Sequence, residues 1–470
     1  MTGLLAFGAY VPHYRLDRKA VAQALDVAGG AGTRAVASYD ENTTSLAVEA
    51  ARSGGHRTRG AARALYFATS DPGYLDKTNA ATIHAALDLD PAIAAYDMVG
   101  SVRSGAGALR AGLDARVPTL VVMADIRTGL PGGSDERDGG DAAIAFLCGE
   151  GTKEQPVLAE PIAMAARTAE FLDRWRMPGD SASRQWEERF GEHAYVPLGE
   201  AAVADALKTA GVTADALHTV IVAGPHGRAN KRVAGATGAK KAALVDDLTN
   251  VIGNTGTAHA GLLLADALEK AGPDQLIMVV SLADGADVTI WRTTAAVTSH
   301  KPARTVAQQV KEGAPVAYAT FLTWRGFLKR EPPRRPDPQA PESPAAHRSE
   351  GWKYAFIGSK CRACGTRHLP PQRVCVKCHA IDKMSDERMA DVPARIATFT
   401  VDRLAYSLSP PVVVAVIDFE GGGRFQCEMT DVDPAAVKIG DRVEMTFRRL
   451  MTAGGVHNYF WKARPVRGVA

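Results

Sequence analysis

Four cysteines near the end of the chain form the pattern with the clearest chemistry. Cys361 and Cys364 are separated by two residues, as are Cys375 and Cys378, and ten residues lie between the two pairs. Each pair can reach one metal ion from a single tight turn, and four thiolates give Zn²⁺ a tetrahedral shell. Because this shell leaves no position open, the pattern predicts a structural zinc ribbon that does no chemistry. A redox dithiol, or a site that has lost its metal, is the alternative.

Polar side chains that suit catalysis follow apolar segments elsewhere in the chain. His226 comes shortly after the predicted strand 219–223 and precedes a glycine, and the carboxyl ends of strands are where α/β sites form. Asn254 lies in a Gly/Thr-rich turn before a predicted helix over 260–268, where an amide can orient a water or donate to an oxyanion. Taken alone, each also fits a loop residue or a helix-capping turn.

A third segment has the geometry of a nucleophile elbow. A predicted strand ends at 97–99, a tight turn of small residues follows, and a helix begins at 105. Such a turn exposes a side chain above a helix N-terminus and its positive dipole. The hydroxyl groups in this turn belong to Ser101 and Ser104.

The composition indicates which classes of protein the chain can belong to. The chain has 470 residues, 46% hydrophobic and 23% charged, which predicts two or three globular domains. A net charge of +3 gives no argument for nucleic-acid binding. The two cysteines outside the knuckles are Cys148, expected to be a buried apolar residue, and Cys427; this usage is typical of a reducing compartment. Without a signal-peptide pattern or an apolar run of ~18 residues, we expect a cytoplasmic protein that does not cross a membrane.

Residues 1–295 alternate short apolar runs with Ala-rich amphipathic stretches, which predicts a layered α/β domain. A Trp-, Arg- and Glu-rich stretch at about 165–210 predicts a helical insertion. The predicted strands are 4–10, 64–69, 92–98, 119–124, 142–147, 219–223, 275–281 and 287–292.

The rest of the chain divides into three parts. Residues 296–350 contain a short aromatic helix, over 318–328, and a Pro-rich charged linker. The zinc ribbon covers 351–390. Residues 391–470 hold five short strands separated by Gly, Pro and Asp turns, which predicts a small barrel of OB type. Because these strands lack a basic and aromatic stripe, we do not expect the barrel to bind nucleic acid.

At this point a family resemblance emerges. The opening GAYVPHYRL, the helix segment YDENTTSLAVEAAR, the histidine at 226 and the G-N-T turn at Asn254 occur in an order that resembles the thiolase superfamily, in particular its hydroxymethylglutaryl-CoA synthase and ketoacyl-synthase III branch. The resemblance implies a duplicated αβαβα domain, a homodimer and a tunnel for the pantetheine arm of coenzyme A. It also implies that His226 and Asn254 are catalytic. The carboxy-terminal part resembles zinc-ribbon/OB modules that accompany thiolase-like proteins, here fused to the chain.

Two departures from the family pattern concern the chemistry. Aligning Ser101–Gly105 with the family's A-C-K-A-G places Val102 at the nucleophilic cysteine, and valine forms no thioester. The segment around Asp71 aligns with the one that holds the family's catalytic glutamate, and Asp71 is the carboxylate in this segment.

The resemblance and its departures favour an acyl-CoA enzyme that forms or cleaves carbon–carbon bonds by an aldol or retro-aldol step without a cysteine acyl-enzyme. His226 and Asn254 would supply the oxyanion hole, or His226 the base. The alternatives are acyl transfer through Ser101, and a non-catalytic subunit that holds a separate thiolase or acyl-CoA enzyme. Clustered cations after His226 are the expected contacts for the coenzyme A phosphates: Arg228, Lys231 and Arg232.

Overall fold

The computed structural model describes residues 1–27, 30–334, 336 and 338–467. The strands in this part of the chain are β1 (Thr2–Tyr10), β2 (Tyr14–Asp17), β3 (Thr33–Val36), β4 (Ala64–Thr69), β5 (Ala94–Val99), β6 (Thr119–Ile126), β7 (Asp141–Glu150), β8 (Ala159–Arg167), β9 (Arg174–Trp175), β10 (Arg184–Gln185), β11 (Thr219–Ala223), β12 (Leu276–Leu282), β13 (Ala286–Thr293), β14 (Ala314–Pro315), β15 (Ile357–Cys361), β16 (Arg367–His368), β17 (Met384–Arg388), β18 (Ala394–Asp402), β19 (Val412–Phe419), β20 (Arg424–Glu428), β21 (Arg442–Ala453) and β22 (Val456–Pro465).

The α-helices are α1 (Arg18–Leu25), α2 (Thr43–Ser53), α3 (His56–Arg59), α4 (Ala80–Ala86), α5 (Ser104–Asp114), α6 (Ser134–Asp138), α7 (Glu188–Ala210), α8 (Gly227–Ala236), α9 (His259–Lys270), α10 (Val306–Lys311), α11 (Tyr318–Trp324) and α12 (Ser343–Arg348). No helix of the described chain is both long enough and apolar enough to span a bilayer.

Within the described residues, nine strands form one sheet in the order β5-β4-β6-β7-β1-β8-β13-β12-β11. β1 and β8 pair through Leu4 and Ala159 alone in this part of the chain, so the sheet consists of two halves joined at a seam. The order β4-β6-β7-β1 in the first half repeats as β11-β12-β13-β8 in the second. An isolated parallel bridge between Val220 and Leu244 stands where the counterpart of β5 would be. This repeat confirms the duplicated α/β architecture.

Helices separate and cover the two halves. α2 packs on β1, β6 and β7, α5 packs on β4 and β6, and α7 packs on β8 and β13. α9 touches both halves, because it contacts β1 and β7 as well as β11 and β12. The layers therefore run α2/α4, first half-sheet, α5/α9, second half-sheet, α7/α8. β6 and β7 are buried along almost their full length, as their continuous apolar sequence predicts.

The stretch predicted as a helical insertion, 165–210, is divided differently in the structure. Its first residues complete β8. Residues 168–187 then form an irregular segment, called the crossing segment below, that contains the small hairpin β9–β10. Only from Glu188 is the chain helical, and α7 is a core helix that buries Tyr195 and Val203 against the second half-sheet. The polar, Trp-rich composition belongs to the crossing, whereas the Ala-rich end of α7 has the ordinary pattern of a buried helix.

The carboxy-terminal module packs against the amino-terminal domain. β16, β15 and β17 form the ribbon sheet, and a second sheet has the order β20-β19-β18-β21-β22. A bridge between Met429 and Ala463 brings the two ends of that sheet together, as in a small OB-type barrel. The last three residues of the predicted OB segment, 468–470, lie outside the described residues.

Charged side chains fill the contact between the barrel and the first half-sheet. Glu49 of α2, only 3% exposed, pairs with Arg464 of β22 at 2.9 Å. Arg448 of β21 is fully buried and pairs with Glu41 at 2.6 Å and with Asp431 at 2.7 Å. Because buried charges are tolerated when they are paired, these contacts fix the barrel on the outer face of α2.

Candidate active site and zinc site

The four knuckle cysteines converge at one point. Their Sγ atoms all lie within 4.8 Å of one another. Cys361 and Cys378 approach to 3.6 Å, and Cys364 and Cys375 to 3.5 Å. Tetrahedral Zn²⁺ with Zn–S bonds of ~2.3 Å places sulfurs about 3.8 Å apart. The donor set and its spacing fit a structural zinc ion, as the sequence predicted.

The candidate active site lies at the edge of the large sheet where parallel strands end. Directly after β4, β5, β6, β11 and β12 come, in turn, Ser70, Ser101, Arg127, His226 and Asp284, each within three residues of its strand. β4 is parallel to β5 and β6, and β11 is parallel to β12, so the carboxyl ends within each half of the sheet lie side by side, and residues of both halves line one pocket. Side chains far apart in sequence are brought together there.

Three cavities meet at this edge. The apolar cavity, of about 150 Å³, has walls that include Val102, Leu109, Met123, Leu264 and Trp291. The arginine pocket, of about 70 Å³, has walls that include Ser101, Arg127, Arg174, Arg176 and Asp284. The polar groove, of about 370 Å³, has walls that include Asp173, His226, Asn230, Lys231 and Asn254.

The cavities share wall residues. Val102 lies between the apolar cavity and the arginine pocket. Arg174 and Pro225 lie between the arginine pocket and the polar groove. Since Arg174 belongs to the crossing segment, that segment separates Ser101 from His226 and Asn254. The structure thus places the predicted site residues in one cleft but in two compartments.

Ser101 and Asp284 form the reactive pair of the arginine pocket. Asp284 occupies the left-handed turn between β12 and β13, with φ of 47°, and its amide donates to Tyr195 Oη at 3.3 Å. Burial raises the pKa of the Asp284 carboxyl, whereas the side-chain hydrogen bond from Ser101 and the nearby charges of Arg103 and Arg174 oppose the rise. A carboxyl with a raised pKa beside a hydroxyl suits proton transfer.

The arginines of the pocket come from β6 and from the crossing segment. Arg174 Nη1 pairs with Asp135, and Arg176 Nη1 donates to Asp71 Oδ1 at 3.1 Å. Arg127 Nη1 donates to Ser70 Oγ at 3.2 Å. Two of these arginines therefore have carboxylate partners, whereas Arg127 contacts a neutral hydroxyl.

His226 is fixed through both ring nitrogens. Nδ1 accepts from the Ala229 amide at 3.1 Å and caps α8, which assigns the proton to Nε2. Nε2 then donates to the backbone carbonyl of Glu188 at 2.8 Å. A neutral ring held in this way is a hydrogen-bond donor rather than a base. Of the two roles left open by the sequence, the geometry favours the oxyanion donor.

Asn254 is oriented by the backbone around it. Its side-chain amide donates to the Gly224 carbonyl at 2.8 Å, and its Oδ1 accepts from the Gly256 amide at 3.0 Å. Gly256 has φ of +60°, and a Cβ there would lie 2.0 Å from the Asp125 carboxylate, so this turn requires glycine. Asn254 and His226 both line the polar groove, and their shared role in catalysis stays a prediction.

The remaining predicted residues lie around the cleft. Asp71 pairs with Arg176 beneath the arginine pocket, and burial raises the pKa of its carboxyl. Lys231 lines the polar groove. Arg228 pairs with Glu188 at 3.0 Å, and Arg232 pairs with Glu192 at 2.7 Å, both at exposed positions on α8.

The cysteine outside the ribbon in this domain cannot stand in for a nucleophile. Cys148 is fully buried in β7 behind α5, and burial raises the pKa of its thiol well above the usual value. Val102 precedes α5 at the position where the sequence predicts the exposed side chain of an elbow.

Sequence reasoning missed Asp284, Arg127, Arg174 and Tyr195. Asp284 had a local signal, because Asp-Gly between two apolar runs is typical of a tight turn between strands. Arg127 directly follows a fully apolar run, which is where a charged side chain enters a site. Arg174 and Tyr195 had no comparable signal, because their positions depend on how the crossing segment folds back.

Comparisons with known proteins define first the class and then the family. A structure of PksG, an HMG-CoA synthase from Bacillus subtilis, matches with a TM-score of 0.58 over 69% of this chain and 89% of that chain, at 17% identity. MvaS in complex with 3-hydroxy-3-methylglutaryl coenzyme A matches with a TM-score of 0.57 over 72% and 94%, at 19% identity. The amino-terminal domain therefore has the thiolase-like fold.

Sequence relatives match both the amino-terminal domain and the carboxy-terminal module. Hydroxymethylglutaryl-CoA synthase from Aeropyrum pernix is 28% identical over 69% of this chain and 94% of its own length. A DUF35 domain-containing scaffold protein from Methanocaldococcus jannaschii is 31% identical over 24% of this chain and 84% of its own length. Family models match the ChsH2 rubredoxin-like zinc ribbon at 353–382 and the ChsH2 C-terminal OB-fold at 387–448. The chain is a homologue of hydroxymethylglutaryl-CoA synthases with a thiolase-like amino-terminal fold, and its carboxy-terminal module belongs to the DUF35 family.

Proposed function

We propose that this chain is an acyl-CoA-dependent enzyme that forms or cleaves carbon–carbon bonds by an aldol or retro-aldol step, without a cysteine acyl-enzyme. The observation that carries the proposal is the start of α5. Val102 stands where the related synthases have a nucleophile, and the neighbouring Ser101 lines the same pocket as the Asp284 carboxyl. Thioester exchange through a cysteine is lost, whereas proton transfer next to a thioester is retained.

The proposed step needs a base and a donor. In the condensation direction, the Asp284 carboxylate removes a proton from the carbon next to the thioester carbonyl, and the electron pair moves onto the thioester oxygen. The resulting enolate attacks the carbonyl carbon of the second substrate, and the new alkoxide takes the proton back from Asp284. Cleavage runs through the same states in reverse: Asp284 removes the hydroxyl proton, and the enolate is reprotonated.

His226 supplies the donor to the thioester oxygen in this proposal. Its Nε2 proton points at the carbonyl oxygen of Glu188, at 2.8 Å, and that oxygen stands where a substrate carbonyl oxygen would accept the same hydrogen bond. Asn254, which lines the same polar groove, supports the same oxygen. Substrate binding then requires the carbonyl of Glu188, at the start of α7, to release its hydrogen bond from His226.

Coenzyme A is proposed to enter along α8. Lys231 lines the polar groove, and Arg228 and Arg232 stand at exposed positions on the same helix. Their pairs with Glu188 and Glu192 are exposed, and such pairs are weak enough for a phosphate to displace the carboxylates. Replacing all three cations by alanine should weaken acyl-CoA binding, and unchanged affinity would remove them from the path.

A direct assay tests the proposed reaction. The purified chain is incubated with a panel of 3-hydroxyacyl-CoA thioesters, and liquid chromatography with mass spectrometry follows the release of a shorter acyl-CoA and a carbonyl compound. Ligands that copurify with the protein set the panel. Wild type should release both products in equal amounts, and the Asp284→Asn variant should not. Binding of thioesters without turnover of any of them would contradict the proposal.

Two other functions are each favoured by one observation. The position of Ser101 beside Asp284 in the wall of one pocket favours acyl transfer through the serine. Acid quenching after incubation with radiolabelled acetyl-CoA distinguishes this function, because only acyl transfer leaves a label on the protein. The internally satisfied donors of His226 and Asn254 favour a scaffold for a separate thiolase or acyl-CoA enzyme, in line with the scaffold name of the DUF35 relatives. A silent protein that raises the activity of a copurifying thiolase would establish that role.

We also propose a homodimer formed through β5. This strand ends the large sheet, and Tyr96 and Val99 on it are exposed, 57% and 43% respectively. An open strand edge of this kind is a template for pairing with another strand. Analytical ultracentrifugation should give twice the mass of one chain for wild type and a lower mass for Tyr96→Lys.

A further inference from the structure

The loop between β4 and α4, residues 70–79, lies between the cleft and the carboxy-terminal module. It has no regular secondary structure, and the side chains of residues 75–78 are exposed. Its first residue, Ser70, lines the arginine pocket. The middle of the loop contacts the hairpin of β21 and β22, which belongs to the barrel. A loop without helical or strand hydrogen bonds takes its shape from the groups that bind it.

His457 at the start of β22 holds the middle of the loop through two hydrogen bonds. Its backbone amide donates to Tyr74 Oη at 2.7 Å, and its ring Nε2 lies 3.3 Å from the Gly73 carbonyl oxygen. Because a carbonyl only accepts, Nε2 carries the ring proton, and Nδ1 accepts from the Thr452 hydroxyl at 2.8 Å. Burial and the nearby charge of Arg449 lower the pKa of the ring, which fits this neutral state. His457 is therefore fixed in one tautomer and one orientation.

The catalytic domain holds other atoms of the same loop. Thr43 of α2 donates to the Asp71 carbonyl at 2.8 Å. The side chain of Asn79 accepts from the Tyr74 amide at 3.0 Å and donates to the Tyr74 carbonyl at 2.9 Å. The carbonyl of Gly73 and the hydroxyl of Tyr74 are bound by the module instead. The position of the loop therefore depends on both parts of the chain.

The start of the loop binds a wall of the arginine pocket. Asp71 Oδ1 accepts from Arg176 Nη1 at 3.1 Å, and the Ser70 carbonyl accepts from Nη2 of the same arginine. Arg176 belongs to the crossing segment, and it lines the pocket together with Ser101 and Asp284. One chain of contacts thus leads from the hairpin of the barrel to the loop, and from the loop to the crossing segment.

We propose that His457 is a positioning residue of the arginine pocket. It fixes the loop after β4, and through the loop it fixes Arg176 in the pocket wall. The effect on turnover rests on the proposed acyl-CoA activity, because the same pocket holds Ser101 and Asp284. A displaced wall changes how the acyl group is oriented, while the proposed coenzyme A contacts on α8 stay in place.

Two substitutions of His457 and one control test this inference by kinetics. His457→Ala removes the Nε2 donor and should lower kcat by about tenfold to 10², because a displacement of ~1 Å misorients the reacting groups. The Kd for acyl-CoA should stay at the wild-type value. His457→Gln, whose side-chain amide can donate to the Gly73 carbonyl, should recover most of kcat. Arg59→Gln removes a different contact between the catalytic domain and the module, the 2.6 Å pair with Asp391, and should keep the wild-type kcat.

Hydrogen exchange tests the same chain of contacts without turnover. In His457→Ala, the amides of residues 70–79 and 174–176 should exchange faster than in wild type, whereas β21 and β22 should keep their protection. A general loss of stability would instead raise exchange throughout the barrel. Arg59→Gln should leave exchange in both segments unchanged.

The outcomes separate this inference from the proposed function. Full kcat in a folded His457→Ala, or faster exchange in the loop without the crossing segment, would overturn the positioning role. Equal losses of kcat in His457→Ala and Arg59→Gln would also overturn it, because the effect would then belong to the whole contact. If wild type turns over no thioester, the proposed function fails, and hydrogen exchange alone decides the positioning role. If His457→Ala does not fold, Tyr74→Phe removes the hydroxyl that accepts from the His457 amide, and kcat and exchange should change in the same directions.

Discussion

The zinc ribbon and the catalytic cleft arrange their reactive side chains in different ways. The ribbon takes four cysteines from one short segment, and each sulfur has another within 4 Å. The cleft takes its side chains from the ends of five strands and from a crossing segment. Its groups are spread over compartments.

This difference teaches how a closed site and an open site can be told apart. In the ribbon, every ligand is used by the metal, so substitutions there should affect folding rather than turnover. In the cleft, burial raises the pKa of the Asp284 carboxyl, so substitutions there should affect turnover and binding rather than folding. The predictions below test this contrast.

Loss of the zinc ion should have the largest effect on stability. Cys361→Ser removes one thiolate, and structural zinc contributes ~10–16 kcal/mol in small zinc domains, so the ribbon should lose its fold. Metal analysis should fall from one zinc per chain toward zero, and hydrogen exchange should rise across β15–β17. His379→Asn, beside the last ligand, should keep the zinc. A Cys361→Ser protein as stable as wild type would refute the closed-site view.

Loss of the base should have the largest effect on turnover. Asp284→Asn should lower kcat by about 10²–10⁴ because proton transfer loses its carboxylate, while the melting temperature changes little. Asp173→Asn, a carboxyl of the polar groove, is the matched control and should lower kcat by much less. If the two variants lose activity equally, the base has been assigned to the wrong compartment.

Loss of the donor should have a smaller effect than loss of the base. His226→Ala should lower kcat by ~10²–10³ with little change in acyl-CoA affinity, because a donor to a developing oxyanion is worth that much. The lost cap of α8 should also cost about 1 kcal/mol of stability. His226→Gln, which keeps an N–H donor, should recover part of kcat. Full activity in both variants would favour the scaffold role.

A substitution at the contact between the domains should have the smallest effect in this series. The effect should appear as a change in how the melting temperature depends on pH. Burial alone would raise the pKa of Asp431, but Arg448 and then Arg467 hold it well below the usual 3.8. A lowered folded pKa stabilises the fold above the unfolded value, and this stabilisation is lost as pH falls through the folded pKa. The melting temperature should therefore decline below about pH 4, and the slope should be shallower in Asp431→Asn. Equal slopes would exclude Asp431 as its source.

Local patterns in the sequence predicted the zinc ligands and most of the strands. The predicted strands 64–69 and 219–223 match β4 and β11, because apolar runs bounded by turn residues need no distant information. His226 and Asn254 were found because each follows a strand or a Gly-rich turn. The zinc ligands were found because one segment contains all of them.

The rest of the site depends on contacts across long stretches of chain. The role of Arg127 depends on Ser70 in another strand and on the crossing segment that brings Arg174 beside it. The hydrogen bond from His226 to Glu188 depends on where α7 begins. No local pattern encodes these distances, so the sequence predicted His226, as donor or base, and Asn254, but neither Asp284 nor the arginine pocket.

The burial of α2 under the barrel has a consequence for assembly. All but the last two residues of this helix are buried, and part of the face away from the sheet contacts β21. A catalytic domain released from its module would expose that face together with unpaired carboxylates such as Glu49. Fusion keeps the local concentration of the module high for every copy of the catalytic domain. Translation therefore produces the catalytic domain and the carboxy-terminal module in a one-to-one ratio. Neither dilution nor unequal expression can leave a catalytic domain without the module that packs on α2.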